Sequence, residues 1–360
     1  MTIKSPLLAR PGAVEAGGAD AGVASHYGEP LREQRALAAG TAVVDLSHRG
    51  VVTVSGPDRL SWLNTLSSQQ LTSLAPGQSS ELLLLSVQGR IEFDARVVDD
   101  GGTTWLIVEA AEAGPLAEWL NRMKFMLRVE ITDVSADWAV LGTTRRVPEW
   151  SDRLVWEDPW PHVGAGGYSY AVVGEDAHPG LERPWFEYLV PAAELEATVG
   201  DRPLAGIWAA EALRIAAWRP RWGAETDDKT IPHELDLLRT AVHLNKGCYK
   251  GQETVARVHN LGHPPRRLVF LQLDGSQHTM PAVGSEVRSG DRKVGTVTSV
   301  AQHYEMGPVA LAVVKRSVPP GETLTVLDGE EPYTAAQEVI VAPDAGQVVG
   351  RQTGFLRGTR

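Results

Sequence analysis

The sequence predicts an α+β protein: two sheet-and-helix units followed by a small antiparallel β-barrel. Three observations carry this. Between residues 41 and 133, strand-like runs, a hairpin and helices follow one another without the regular strand–helix–strand alternation of a doubly wound sheet. A strand–hairpin–helix plan returns between residues 134 and 264. After Pro264-Pro265, short strands alternate with Gly, Asp and Pro turns, which reads as a barrel from about residue 266 to 345. With 360 residues, 43% of them hydrophobic, the chain can bury two or three cores.

In order, residues 1–25 are rich in Ala and Gly and are expected to be flexible; they lack the continuous apolar core of a secretory signal. Order is expected from His26, with a helix over 30–39 stopped by Gly40 and strands over 41–47 and 51–55. The turn Ser55-Gly56-Pro57-Asp58 leads into a helix over 59–66, striped by Leu60, Leu63 and Leu66, with Pro57 and Asp58 suited to its first turn. A hydrophobic strand over 81–88, the Gly89-Arg90 turn, an alternating strand over 91–98, an acidic tip at 99–102 and a strand over 104–108 precede a helix over 114–123. The second unit reads as a strand at 136–141, an irregular segment at 148–167, strands at 168–173 and 185–190, a helix at 192–199 and an apolar-periodic helix over 207–218, ended before Pro220. The expected division is a flexible 1–25, a first α+β unit 26–133, a second 134–264, and a barrel with tail 265–360.

Composition narrows the function. A net charge of −11 is at odds with a protein that grips nucleic acid through clustered Lys and Arg, and Arg145-Arg146 and Arg266-Arg267 are too short to reverse it. No window approaches 18 uncharged apolar residues, so no membrane helix is expected. A single cysteine rules out an internal disulfide and fits a reducing cytoplasm. A monomer is expected.

That cysteine lies in the most informative stretch, Lys246-Gly247-Cys248-Tyr249-Lys250-Gly251-Gln252-Glu253. Glycines at 247 and 251 let the backbone take positive φ and leave little bulk around the sulfur. Lysines on both sides, with the positive end of a helix starting near Gly251, favour a thiolate. Cys248, His259 and His263 have a spacing that supplies three zinc ligands, but a fourth is missing and Gly262 and Pro264 point to a loop, so no metal is assigned.

The octapeptide resembles the K-G-C-[YF]-x-G-Q-E signature of the YgfZ-type folate-binding family, a branch of the superfamily that includes the glycine-cleavage aminomethyltransferase, or T-protein. The run from Asp45-Leu46-Ser47 through the helix at 59–66, the Thr230–Leu235 approach to the cysteine and the C-terminal barrel are similar to the same superfamily, so the resemblance spans nearly the whole chain from His26. It implies two pseudo-symmetric, ferredoxin-like units around a central cavity. It also implies tetrahydrofolate or a folate derivative as cofactor, with Cys248 and Lys246 as working residues and Tyr249, Gln252 and Glu253 completing the motif. Aminomethyltransferases place two aspartates after the Gly-x-Ile turn, one of them tied to folate chemistry, where this chain has Phe93-Asp94. Asp94 alone can still hydrogen-bond a folate amine, or, as a lone strand carboxylate, face solvent or pair with Arg96, two residues on and on the same face. In the family's L-R-I-E-A-G-x-P segment the glutamate is Ala216 and the glycine Trp218, while Arg214, Glu225 and Asp227 match and are either ligand-facing or an ion-paired loop.

Three functions stay open at this level. The first is a folate-binding accessory protein for assembly or repair of iron–sulfur clusters, acting through Cys248, with iron–sulfur client proteins as partners. The second is a tetrahydrofolate-dependent aminomethyltransferase, against which Phe93 and Ala216 count. The third is a non-catalytic interaction scaffold.

Overall fold

A computed structural model describes residues 3–276 and 278–346. The first 25 residues, expected to be flexible, are folded as far as they are described. A turn at Pro6–Ala9 buries Leu7, and β1 (Val14–Glu15) pairs with β2 (Ala24–His26) in a short hairpin. The segment is held because Leu7 and Val23 both join cores of the main body, and Asp20 forms an ion pair with Arg221 and lies 3.0 Å from His48 Nε2. Ala and Gly richness signalled mobility, but two well-spaced apolar anchors outweigh it.

After α1 (Pro30–Ala38), the short strand β3 (Val43–Asp45) precedes β4 (Gly50–Ser55) and α2 (Arg59–Leu66). A hairpin meander follows: β5 (Ser79–Leu85), β6 (Ile91–Asp99) and β7 (Thr103–Val108), then α3 (Ala110–Met123) and β8 (Glu130–Asp133). Strands β4 to β8 form one sheet in the order β5-β6-β7-β4-β8. Helix α3 starts four residues before the Gly114-Pro115 pair suggested, because Glu112 reaches back to the Glu109 amide and caps the earlier turn.

The second sheet has the order β10-β11-β9-β3-β12, built from β9 (Trp138–Thr143), β10 (Val155–Glu157), β11 (Phe186–Pro191) and β12 (Leu204–Ala205). It borrows β3 from the N-terminal part of the chain, so the two sheets are not cut apart at residue 134. The expected strand at 168–173 is irregular and makes only the Ala171–Val341 bridge. The expected helix at 192–199 is a 3₁₀ turn, Ala192–Glu194, run into the five-residue α4 (Leu195–Val199). Helix α5 (Ile207–Ala216) stops two residues short of expectation, and Trp218 takes φ +58°. The position where the family pattern has glycine thus takes a left-handed backbone here with a tryptophan. Its strain is offset by burial of the ring in a core with Trp160, Leu235 and Tyr249.

Helix α6 (Gln252–Leu261) leads to a closed six-stranded barrel: β13 (Arg266–Leu273), β14 (Glu286–Ser289), β15 (Arg292–His303), β16 (Gly307–Lys315), β17 (Thr323–Asp328) and β18 (Glu331–Val339). The α+β architecture with a C-terminal antiparallel barrel is thus as the sequence predicts. Alternation along the strands puts Val269, Leu271, Val287, Ala312, Leu324 and Val326 inside it. The two sheets face each other: Val51, Val98 and Ile107 of the first meet Val44, Val140 and Leu189 of the second, with Ile207, Ala210 and Leu213 of α5 closing one side. Between them, next to this apolar contact, lies a buried patch of ionised groups.

Candidate functional site

The site is organised by an irregularity in β6. Leu84 pairs with Phe93 but Leu85 pairs with Ile91, so Glu92 is an extra residue in the strand. Beyond this bulge the alternation is regular. Phe93, Ala95 and Val97 face the layer of α2 and α3, while Asp94, Arg96 and Val98 face the second sheet. Phe93 packs on Trp119 of α3, with ring centroids 6.4 Å apart. The aromatic in place of an aspartate therefore sits on the opposite side of the strand from Asp94, and the inner face keeps its carboxyl group.

Asp94 is half-buried, protein surrounds its carboxyl closely, and it lines neither the small cavity beside it nor the groove at the barrel. Burial, then the charge of Glu81, raises its pKa to about 7; Arg219 and Arg96 pull the other way. The Asp94–Arg96 pairing, one of the alternatives left open by the sequence, does not form. Arg96 Nε lies 3.3 Å from Glu187 Oε2, on β11 of the facing sheet. Glu112 Oε1 accepts the Asp94 amide at 3.0 Å, and burial lifts the Glu112 carboxyl to about 9.

Next to Asp94 the charges form a continuous network. Glu81 on β5 accepts from Arg219 Nη2 at 2.6 Å; Arg219 Nε reaches Asp158 at 3.2 Å; Arg221 joins Glu109 at 2.8 Å and Asp20 at 2.6 Å. Such pairs are tolerated in a protein interior only because each ion is met by others of opposite sign. Arg219 and Asp158 also line a small, largely enclosed cavity of about 30 Å³, together with Arg49, Arg96, Arg183 and Glu187 among others.

Arg214 and Glu225 do not open onto a ligand cleft together. Arg214 Nη1 meets Glu225 Oε2 at 3.0 Å and Arg214 Nη2 donates to Ser299 Oγ at 2.7 Å, on the barrel strand β15. Both Glu225 oxygens are taken: Oε2 also accepts the Arg221 amide, and Oε1 accepts from Thr298 and Ser299. The pair is a clamp between α5 and the barrel, the ion-paired alternative of the sequence reading. Asp227 pairs with Arg266 at the base of β13.

The cysteine motif resolves into separate tasks. Cys248 is a free, exposed thiol on the loop before α6. The flanking lysines, expected to hold a thiolate, are occupied elsewhere. Lys246 Nζ donates to the carbonyls of Asn64, Ser67 (2.6 Å) and Gln69 (2.8 Å), where α2 ends, and burial pushes its pKa down to about 8. Lys250 Nζ pairs with Glu92, the bulge residue, at 3.0 Å and lies 6.0 Å from the Trp119 ring. Tyr249 is buried in the core below. Gln252 Nε2 bonds the Lys246 carbonyl at 3.3 Å, and Glu253 is exposed in the first turn of α6. Only one of the two glycines works as expected. Gly251 has φ +85°, and a Cβ there would lie 2.5 Å from the Ser86 carbonyl oxygen, whereas Gly247 is not left-handed and a Cβ would meet nothing within 4 Å.

Cys248 lines neither the enclosed cavity nor the groove of about 630 Å³ between residues 224–227 and strands β15 and β16. The sulfur is accessible, but it is not at the rim of either hollow. No group of three or more metal-ligating side chains occurs among the described residues: His259 bonds the Tyr170 hydroxyl at 3.1 Å and His263 the Ala345 carbonyl at 2.6 Å.

The sequence reading did not single out Arg49, Glu81, Glu112, Arg183 or Arg219. In Trp218-Arg219-Pro220-Arg221-Trp222 the arginines alternate with bulky apolar residues, but an arginine beside apolar residues ordinarily keeps its head in water, so the local sequence did not announce their burial.

Two family descriptions match this chain: the GCVT N-terminal domain over residues 23–144, and the glycine cleavage T-protein C-terminal barrel domain over residues 266–352. An aminomethyltransferase of Nostoc sp. is 30% identical over 301 residues, spanning 79% of this chain and 79% of that protein. One from Corynebacterium aurimucosum is 27% identical over 317 residues, spanning 80% and 82%. Among solved structures, the glycine cleavage system aminomethyltransferase T from Bartonella henselae superposes with a TM-score of 0.72 at 18% identity, over 92% of this chain and 94% of that one, a likeness of fold.

Proposed function

The chain belongs to the glycine cleavage T-protein, or aminomethyltransferase, family, and from that premise we propose that it binds tetrahydrofolate over Asp94 and takes part in folate-dependent one-carbon transfer of the aminomethyl type. The observation that carries this reading is the half-buried Asp94, its carboxyl closely surrounded by protein, with a pKa of about 7. Perturbed groups of this kind concentrate where proton transfer is needed. The relatives named above support transferase chemistry; the iron–sulfur reading, placed first on sequence, has no support from them.

The residues present fit a folate at this point. Asp94 near half-protonation can accept from a ring N–H or hand a proton to a nitrogen of the ligand. The enclosed cavity beside it is too small for a pteridine ring, so the ligand approaches from the open side of Asp94. Tetrahydrofolate supplies the nitrogens that receive the one-carbon unit. The protein's part is to hold the proton at the Asp94 carboxyl: Glu81 discourages its loss, and Arg219 and Arg96 limit how far the pKa rises. With Phe93 turned to the helix layer and Ala216 carrying no carboxylate, Asp94 is the acid–base group the family pattern leaves here.

Calorimetric titration of tetrahydrofolate into the full-length protein tests the binding, and ammonia release from an aminomethylated carrier protein tests the transfer. Saturable binding weakened at least about tenfold in Asp94→Asn is expected, the cost of losing a charged hydrogen bond. Absence of binding to the wild type, or identical binding by Asp94→Asn, would refute the reading. A second reading rests on the exposed Cys248 thiol: an accessory role toward iron–sulfur client proteins. Its signature is a Cys248→Ser variant that binds tetrahydrofolate normally but no longer supports activity of a four-iron client enzyme under oxidative stress.

A further inference from the structure

The arginines around the enclosed cavity are not fully used by their acidic neighbours. Arg49, Arg183 and Arg219 are 5%, 8% and 6% exposed, and all three line it. Each keeps a buried N–H without an acceptor: Arg49 Nε, Arg183 Nε and Arg219 Nη1. Leaving a buried donor unmet costs about 1–3 kcal/mol, more when it is charged, and native proteins rarely accumulate several in one place. Two of the remaining contacts are short, Arg219 Nη2 to Glu81 at 2.6 Å and Arg49 Nη1 to Glu109, and the others are long or shared. Arg183 Nη1 stands 3.6 Å from Asp158, which also receives Arg219, and the Arg183 guanidinium stacks on Trp185 at 4.2 Å. Glu187, the acid between the two sheets, is drawn toward Arg96.

Charge points the same way. On the wall itself Arg49, Arg96, Arg183, Arg214 and Arg219 face Asp158, Glu187 and Glu211, while Glu109, Glu225 and Glu81 meet Arg49, Arg214 and Arg219 from outside it. Burial, and then the fields of Arg221 and Arg96, push the Arg49 pKa well down; burial, with Arg219 and Arg214 opposing the help of Asp158, brings Arg183 to about 10. Arg214 and Arg219, by contrast, are held above the usual guanidinium range by their acidic partners in spite of burial, so Arg49 and Arg183 are the groups that gain most from an anion in the cavity. Size sets the kind: about 30 Å³ holds no more than a few non-hydrogen atoms. The three free N–H groups suit a flat group with two acceptor oxygens, as guanidinium forks suit carboxylates.

We propose that the enclosed cavity between the two sheets is a binding site for a small carboxylate of formate size, held by Arg49 Nε, Arg183 Nε and Arg219 Nη1. It does not depend on folate binding at Asp94, and the test is run without folate. The full-length protein, labelled with ¹⁵N at arginine, is titrated with sodium formate and separately with sodium chloride at equal ionic strength, and the arginine Nε signals are followed. Formate is expected to move a small set of them saturably, chloride at least about tenfold more weakly, and propionate not at all. Arg183→Met and Arg219→Met each lower formate affinity about tenfold or more, as expected for one charged hydrogen bond, while Lys4→Ala, at an exposed ion pair, leaves it unchanged. The proposal is overturned if formate gives no saturable shift in the wild type, if chloride matches it, or if folded arginine variants bind formate as the wild type does. Should neither variant fold, the formate, chloride and propionate series on the wild type decides alone.

Discussion

Substituting the two glycines of the cysteine loop tests how that loop is built. Gly251 ends the loop at φ +85°, a conformation that costs an L-residue about 1–2 kcal/mol. A Cβ there would also stand 2.5 Å from the Ser86 carbonyl oxygen and 3.1 Å from Gly89 Cα. Both atoms are backbone in the β5–β6 turn and cannot rotate aside, so the turn or the start of α6 must shift, at about 1–3 kcal/mol. Gly251→Ala is therefore expected to lose about 2–5 kcal/mol of stability. Gly247→Ala, with no atom within 4 Å and no left-handed φ, is expected to stay within about 0.5 kcal/mol of wild type. Urea unfolding followed by tryptophan fluorescence measures both, since all eleven tryptophans lie before the barrel. The reasoning fails if Gly251→Ala is as stable as wild type, or if Gly247→Ala is destabilised as much.

Three further outcomes follow from the same geometry. Lys246→Met removes the donor shared by three carbonyls at the end of α2 and should cost about 2–4 kcal/mol in urea unfolding, since buried acceptors lose their partner; a loss below about 0.5 kcal/mol would reduce the lysine to a surface group. Asp94 titrates near pH 7 when folded and near 3.8 when unfolded, so the folded state binds more protons between those values and its stability falls as pH rises through that window. Asp94→Asn should flatten that part of the stability–pH curve, and an unchanged slope would show that Asp94 does not carry the proton. Glu225→Ala strips Arg214 and Ser299 of their shared acceptor at the barrel junction. Arg214 keeps its two bonds to Glu211, so the loss is that of charged hydrogen bonds, about 1.5–3 kcal/mol, and the tryptophan and far-ultraviolet circular dichroism transitions should separate as the barrel loses its clamp; coincident, unshifted transitions would contradict it.

Much of the fold was legible because it rests on local periodicity. The β5–β7 meander, α2, α5 and the barrel strands follow apolar spacing and turn residues that tertiary contacts only trim by a few positions. Errors arose where distant contacts overrode local preference. Leu7 and Val23 pin a segment whose composition reads as mobile, Trp218 holds a turn that favours glycine, and β3 joins a sheet made mainly of later strands.

The sequence by itself determined the α+β class, the C-terminal barrel and the presence of a lone cysteine, because each depends on residue type or on near-neighbour spacing, whereas Asp94 was singled out only through the resemblance of its segment to a family pattern. Only the tertiary structure decided which charges meet. It drew Lys246 and Lys250 away to the end of α2 and to Glu92, closed Arg214 on Glu225 and the barrel, and gathered Arg49, Arg183 and Arg219 from three distant segments around one cavity. Electrostatic energy in a protein interior depends on separation in space and on exclusion of water, and a linear sequence carries neither until the chain has folded.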